Sequence, residues 1–192
     1  MIAWAFPTPK NGDEALLNQV TRPQPPWMES WDNTAAVGGN GDYVLSEISV
    51  QQNWQWSNPE NTVKNFDPSV DQFFYFQTIK APAKSAGQVI VANDPVHFTE
   101  KFRSAWIYNP GQRRVKRAPQ IVHDNPLPES DGLATTDQRF GLNGPKDRFN
   151  YKLLGKREIY IPYNSYKINS GDLKYEDVIS QNGRLNQNHA RY

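Results

Sequence analysis

The feature that most constrains the fold is the interruption of the chain by fifteen prolines and twelve glycines. Both residue types end regular elements, so the chain is divided into short segments. Few windows keep apolar residues at helical spacing for more than two turns, whereas several alternate with a period of two. The sequence therefore predicts a mainly β protein.

The strand candidates follow one another without long helices between them. DYVLSEISVQQNWQW alternates apolar and polar residues, which predicts a strand with one solvated face. VDQFFYFQTIKAP is apolar at both alternations, which predicts a strand covered on both faces. Further candidates are GQVIVAND, SAWIYN, RRVKRAPQIV and GKREIYIPYNSYKI. Consecutive strands of this kind predict an antiparallel meander.

One helix and one long loop are predicted before these strands. Asn11 can cap a helix whose Glu14 reaches back toward the cap, and the helix should end before Pro23. Residues 22–41 contain three prolines, three glycines and no period. They predict a surface loop whose two tryptophans fold back onto the body of the protein.

Composition limits the classes of function. A length of 192 residues indicates one domain, and six Trp, nine Tyr and nine Phe predict an aromatic core. The formal net charge of +1 provides no overall field to attract a polyanion, so no nucleic-acid partner is expected. The lack of cysteine excludes disulfides and thiolate chemistry, and no apolar run is long enough for a spanning helix.

No catalytic or metal-binding motif is present. His97, His123 and His189 are far apart in sequence and show no metal-ligand spacing. His123 precedes Asp124, but adjacent residues on a strand point to opposite faces. We therefore expect no enzyme activity, no catalytic residue, no metal and no cofactor.

The stretch AWIYNPGQRRVKRAPQ predicts a hairpin that carries a cluster of cations. Residues 109–112 suit a type II turn, in which Gly111 would take a positive φ. On one strand Trp106 and Tyr108 share a face opposite Ile107. The cations could protect an edge strand from pairing with other molecules, or could surround the mouth of an apolar cavity and meet anionic head groups. These cations are Arg113, Arg114, Lys116 and Arg117.

A carbohydrate site is an alternative interpretation, as a binding module or a glycosidase. Tryptophan faces stack on sugar rings, and paired carboxylates could act as acid and base. The alternation in NWQWSNPE is more typical of core residues. The residues concerned are Trp27, Trp31, Trp54 and Trp56 with Asp32, Glu47 and Glu60.

Three segments resemble one protein family. They are FPTPKNGDEALLNQV, AWIYNPGQRRVKRAPQIVHDNP and DGLATTDQRFGLNGPKDRFNYKLLGKREIYIPYNSYK, and the likeness extends over nearly all of the chain. They resemble the DUF1329 family, a Gram-negative group related to outer-membrane lipoprotein-sorting proteins of the LolA and LolB type. The resemblance implies a curved, incomplete antiparallel β-barrel around an apolar groove, with one or two short helices and long loops.

The resemblance also implies a function and a setting. We expect a non-enzymatic carrier, in the periplasm or associated with the outer membrane, that holds the acyl chain of a lipid or lipoprotein. Residues 1–192 would be a single domain and an internal fragment of a longer protein of this family. An inner-membrane transporter or another envelope protein is the expected partner, and an envelope scaffold that binds such a transporter is a further alternative.

The expected groove residues come from the strands that flank the hairpin. Arg113, Arg114, Lys116 and Arg117 would form the rim for head groups or a partner. The pattern leaves open which sheet face is concave, which ligand binds and what the oligomeric state is. The candidates for the apolar groove are Phe73, Tyr75, Val89, Val91, Trp106 and Tyr108.

Overall fold

A computed structural model gives the architecture. It describes residues 5–62, 64–65, 67, 69–95, 98, 100–118, 121–127, 130–139, 141–161, 166–169 and 172–178. His97 and His189 lie outside these residues. Within the described part of the chain no helix is long and apolar enough to cross a membrane.

Six antiparallel strands form one sheet in sequence order. Each strand pairs with the next along the chain, and the sheet does not close into a barrel. The prediction of a mainly β, antiparallel meander is therefore confirmed. The strands are β1 (Trp27–Val37), β2 (Tyr43–Trp54), β3 (Asp71–Ala81), β4 (Val89–Pro95), β5 (Ser104–Asn109) and β6 (Arg114–Ala118).

The predicted loop at residues 22–41 is wrong over residues 27–37. Residues 27–37 form β1, which pairs with β2 from Trp27 opposite Asn53 to Val37 opposite Tyr43. The alternation of apolar and polar residues in β1 is weak because β1 is an edge strand with one neighbour. Backbone hydrogen bonds to β2, rather than side-chain burial, hold this strand in place. Trp27 and Trp31 are exposed and do not fold back onto the body.

The register assigns every strand residue to one of two faces. One face, called the cavity face because it borders a cavity, carries the buried core of β2 to β4, including Ile48, Val50, Ile79 and Ile90. The opposite face, called the outer face, carries Phe74 and Phe76 of β3, which are exposed. The prediction that β3 is covered on both faces therefore does not hold within the described residues.

A helix precedes the sheet, as predicted. Helix α1 (Gly12–Val20) begins after Asn11, whose side chain accepts a hydrogen bond of 2.9 Å from the Glu14 amide. Glu14 in turn accepts a hydrogen bond from the Lys10 amide at 2.7 Å. In the described residues after the sheet there are two helices of four residues, α2 (Tyr166–Asn169) and α3 (Tyr175–Val178).

The last predicted strand does not form in the described residues. Residues 151–161 have no regular secondary structure and pair with no strand. Ile159 and Tyr160 are exposed, and Tyr160 keeps 92% of its accessible surface. The β-branched and aromatic residues at the end of GKREIYI fit the side-chain preference of a strand, but a strand also needs a partner for its backbone groups.

The predicted hairpin forms between β5 and β6, with a different turn. Residues 110–113 connect the strands, and the Arg113 amide donates to the Pro110 carbonyl at 3.3 Å. The positive φ, 50°, belongs to Arg113 and not to Gly111. The type II turn at residues 109–112 was therefore wrong, because a four-residue loop shifts the left-handed position by two residues.

Candidate ligand cavity

A cavity of about 250 Å³ lies between the cavity face and the chain that follows β6. We call residues 121–143, as far as they are described, the cover segment. The exposed surface of the wall is mostly apolar, and both parts contribute to it, although six of the fourteen lining residues are polar or charged. The lining residues are Phe73, Tyr75, Gln77, Ile90, Ala92, Arg103, Ile107, Ile121, Asn125, Pro126, Leu127, Thr136, Arg139 and Asn143.

The cover segment keeps its shape through backbone hydrogen bonds. Leu127 N–H donates to the Ala134 carbonyl at 3.0 Å, and Thr136 N–H donates to the Asn125 carbonyl at 2.9 Å. The Thr136 side chain is buried and its hydroxyl donates to the same Asn125 carbonyl. The wall opposite the sheet is therefore held by backbone hydrogen bonds, and the buried Thr136 hydroxyl is paired within it.

Arg103 attaches the cover segment to the sheet. Its guanidinium pairs with Asp94 of β4 through two hydrogen bonds, one of them 2.6 Å. It also donates to the Ile121 carbonyl at 2.5 Å and to the Asn143 side chain. The Arg103 side chain is only 6% exposed, so this ion pair is buried. Four of its donor positions are thus engaged within the protein, and Arg103 acts as a structural cation.

A second polar group lies in the cavity wall. Arg139 donates from Nη1 to the Tyr75 hydroxyl at 2.7 Å, and that hydroxyl donates to Oε1 of Gln77 at 2.5 Å. Gln77 is 2% exposed, and its Nε2 has no hydrogen-bond partner among the described residues. The wall therefore presents a buried amide donor beside a cation.

The predicted groove residues are divided between the two faces. Phe73 and Tyr75 line the cavity. The other four share the outer face, because Val91 pairs with Trp106 and Phe76 and is one residue away from the cavity-lining Ala92. The assignment of these four to the cavity is corrected for that reason. They are Val89, Val91, Trp106 and Tyr108.

The predicted cationic rim is also divided. Arg114 and Lys116 share the cavity face with Ile107, whereas Arg117 lies opposite Trp106 on the outer face and Arg113 lies in the turn. All four side chains are exposed, and none forms an ion pair with a carboxylate in the described part of the chain. They border the edge of the sheet at β6, away from the polar group of the cavity.

The tryptophans of the carbohydrate interpretation have different environments. Trp54 is buried and packs on Phe73 with ring centroids 4.1 Å apart, as expected for a core residue. Trp31 is exposed on the outer face, whereas Asp32 lies on the cavity face. An exposed aromatic surface and that carboxylate are thus on opposite sides of the sheet.

His123 and Asp124 have structural contacts. His123 is buried, and its ring lies edge-on to Phe149 at 5.8 Å. Asp124 accepts two hydrogen bonds from Arg148, at 3.0 and 3.2 Å, which hold the pKa of this carboxyl below its ordinary value. Across the described residues no group of three or more His, Cys, Asp or Glu could hold a metal ion.

Sequence reasoning missed the residues that build the wall and the anchor. Arg103, Arg139 and Gln77 were not candidates, and neither was the cover segment. Gln77 carried one usable signal, since it is a polar residue among four aromatics and an isoleucine in FFYFQTI. Arg103 and Arg139 stand in segments without a period, so no local pattern could place them.

Comparison with known proteins places the chain among relatives of unknown function. The whole chain, residues 1–192, matches the family described as protein of unknown function DUF1329. An uncharacterized protein of Pseudomonas aeruginosa, PA3922, is 38% identical over 191 residues, which is 97% of this chain and 40% of the relative. The chain thus spans about two fifths of that relative. No solved structure matches.

Proposed function

We propose that this chain, which belongs to the DUF1329 family, is a non-enzymatic binding protein that holds one hydrophobic chain in the cavity under the cover segment. The observation that carries the proposal is the apolar cavity of about 250 Å³ between the sheet and that segment. Burial of an acyl chain there would contribute about 0.8 kcal/mol per methylene.

The size of the cavity favours one chain. An engineered apolar cavity of about 150 Å³ admits benzene, with six carbons, so the present volume suits roughly ten carbons. A phospholipid or a lipoprotein carries two or more chains of greater length. The proposed ligand is therefore a single acyl chain, either free or as one chain of a larger lipid.

The setting of this activity rests on the family resemblance. A relation to lipoprotein-sorting proteins of the LolA and LolB type supports a carrier role in the periplasm or at the outer membrane, with an inner-membrane transporter or envelope protein as partner. The open sheet and the covered apolar cavity are compatible with that relation.

Displacement of a fluorescent fatty acid by unlabelled acids of 6 to about 16 carbons tests the proposal. We expect affinity to rise with length up to roughly ten carbons and then to level off. Ala92→Leu, which adds volume inside the cavity, should weaken binding at least tenfold, whereas the same change at Ala35 on the outer face should not. Ile107→Phe is a second variant that adds volume inside the cavity, and it should weaken binding in the same way. A folded protein that binds none of the acids would overturn the proposal.

Exposed tryptophans favour a second candidate, carbohydrate binding on the outer face. Trp31 is 71% exposed and shares this face with Trp27, so both rings are open to stacking. Glycan-array binding lost in Trp31→Ala, and retained in the control Tyr160→Ala, would support it. Unchanged binding in Trp31→Ala would exclude this face.

A further inference from the structure

The cavity presents hydrogen-bond donors and positive charge, and this asymmetry indicates the polar part of its ligand. Among the described residues that line it there are two arginines and no carboxylate. Arg103 is paired with Asp94. Arg139 of the cover segment and Gln77 of β3 are joined by hydrogen bonds through the Tyr75 hydroxyl.

The direction of hydrogen bonding fixes which atom of Gln77 is available. Arginine has only donors, so the Tyr75 hydroxyl accepts a hydrogen bond from Arg139 and donates its own hydrogen bond to Gln77 Oε1. The amide oxygen of Gln77 is thereby satisfied. Its NH2 group is left with two donor hydrogens and no partner, although the residue is almost completely buried.

A buried donor without a partner costs free energy, and a ligand that supplies an acceptor recovers it. The acceptor that gains most beside a guanidinium is an anion, since charge-assisted hydrogen bonds are about twice as strong as neutral ones. Apolar side chains surround this polar group, so the rest of the ligand must be hydrophobic.

We propose that the cavity binds a medium-chain carboxylic acid, with its carboxylate at the Gln77 amide and the Arg139 guanidinium and its chain against Ile90 and Ile107. This inference rests on the proposed function and adds the head group to it. Tyr75 is a positioning residue, because it orients the Gln77 amide and does not need to contact the ligand.

Affinities of decanoic acid, decanol and methyl decanoate for the 192-residue chain test the inference. These probes share a chain and differ in the charge of the head group. We expect decanoate to bind about tenfold or more tightly than the other two. Equal affinities would overturn the carboxylate site and leave the apolar cavity standing, whereas no binding of any probe would overturn the proposed function as well.

Two substitutions locate the preference. Gln77→Met keeps the side-chain length and removes the amide, and it should reduce the preference for decanoate, since the Arg139 guanidinium remains, while decanol still binds. Gln77→Glu should reverse the preference through repulsion between carboxylates. Gln52→Met is the matched control, because Gln52 is a buried glutamine on the same face, opposite Tyr75, but does not line the cavity. An equal loss in Gln52→Met and Gln77→Met would overturn the assignment to Gln77.

Discussion

Arg103 determines at the residue scale whether the cavity has a second wall. Its guanidinium connects Asp94 of the sheet with the Ile121 carbonyl and Asn143 at the two ends of the cover segment. Both members of the ion pair are buried, so the loss of either leaves an uncompensated charge. Removal of one partner should therefore destabilise the fold and release the cover segment from the sheet.

We predict that Arg103→Met destabilises the protein by about 3–5 kcal/mol, because Asp94 stays buried without its cation. Chemical denaturation followed by circular dichroism measures this change. The double variant Arg103→Met/Asp94→Leu should recover part of the loss, since both charges are then absent. An Arg103→Met protein as stable as the parent would show that the pair does not anchor the cover.

Gly12 allows the chain after the cover to approach helix α1. A Cβ at this position would clash with the backbone carbon and oxygen of Tyr151. We predict that Gly12→Ala destabilises the protein by about 1–3 kcal/mol, because backbone would have to move. The control is Gly39→Ala, where a Cβ meets nothing within 4 Å. Equal melting temperatures of the two variants would contradict the close packing.

The elements differ in how far the sequence predicts them. Strands β2 to β5 carry strong patterns because a buried core selects apolar residues on their cavity face. Strand β1 was missed since an edge strand depends on backbone pairing, and residues 155–161 were overpredicted since their pattern lacks a partner. The cover segment has no periodicity, and long-range contacts such as Arg103 with Asn143 define it.

Strand β6 forms one edge of the sheet and exposes its charged residues. We predict that Arg114→Thr/Lys116→Thr raises self-association, because these cations oppose edge-to-edge pairing. Sedimentation velocity at several concentrations measures this effect. Lys80→Thr/Lys84→Thr, which removes the same charge from the β3 end, is the control. Equal sedimentation of both double variants would refute a protective role of the β6 charges.

The contact between the cover segment and residues 146–148 should respond to acid. Arg148 lowers the pKa of Asp124 in the folded protein, so the stabilising contribution is present above the pKa of the unfolded chain. It is lost as the pH falls through the lower folded value. Both side chains are exposed, and the effect should be small. Unfolding measured from pH 6 to about 2 should therefore show a weaker acid sensitivity in Asp124→Asn than in the parent.

At the scale of the whole molecule, the cavity exists because three distant parts of the chain meet. The sheet supplies an apolar face, the cover segment closes over it, and the Arg103 pair joins them. The sequence predicted the sheet and two lining residues, Phe73 and Tyr75. It could not show which face is covered, since β4 and β5 carry apolar residues on both faces.

A crystal structure with 10-bromodecanoic acid tests the central claim most directly, because the anomalous signal of bromine locates the chain. The account predicts bromine inside the cavity, beyond Ile90 at the part of the wall that includes Ile107, with the carboxylate at the Gln77 amide. Bromine bound only against the outer face, near Trp106 or Phe76, would contradict it, and so would a cavity without any bound acid at saturating concentration.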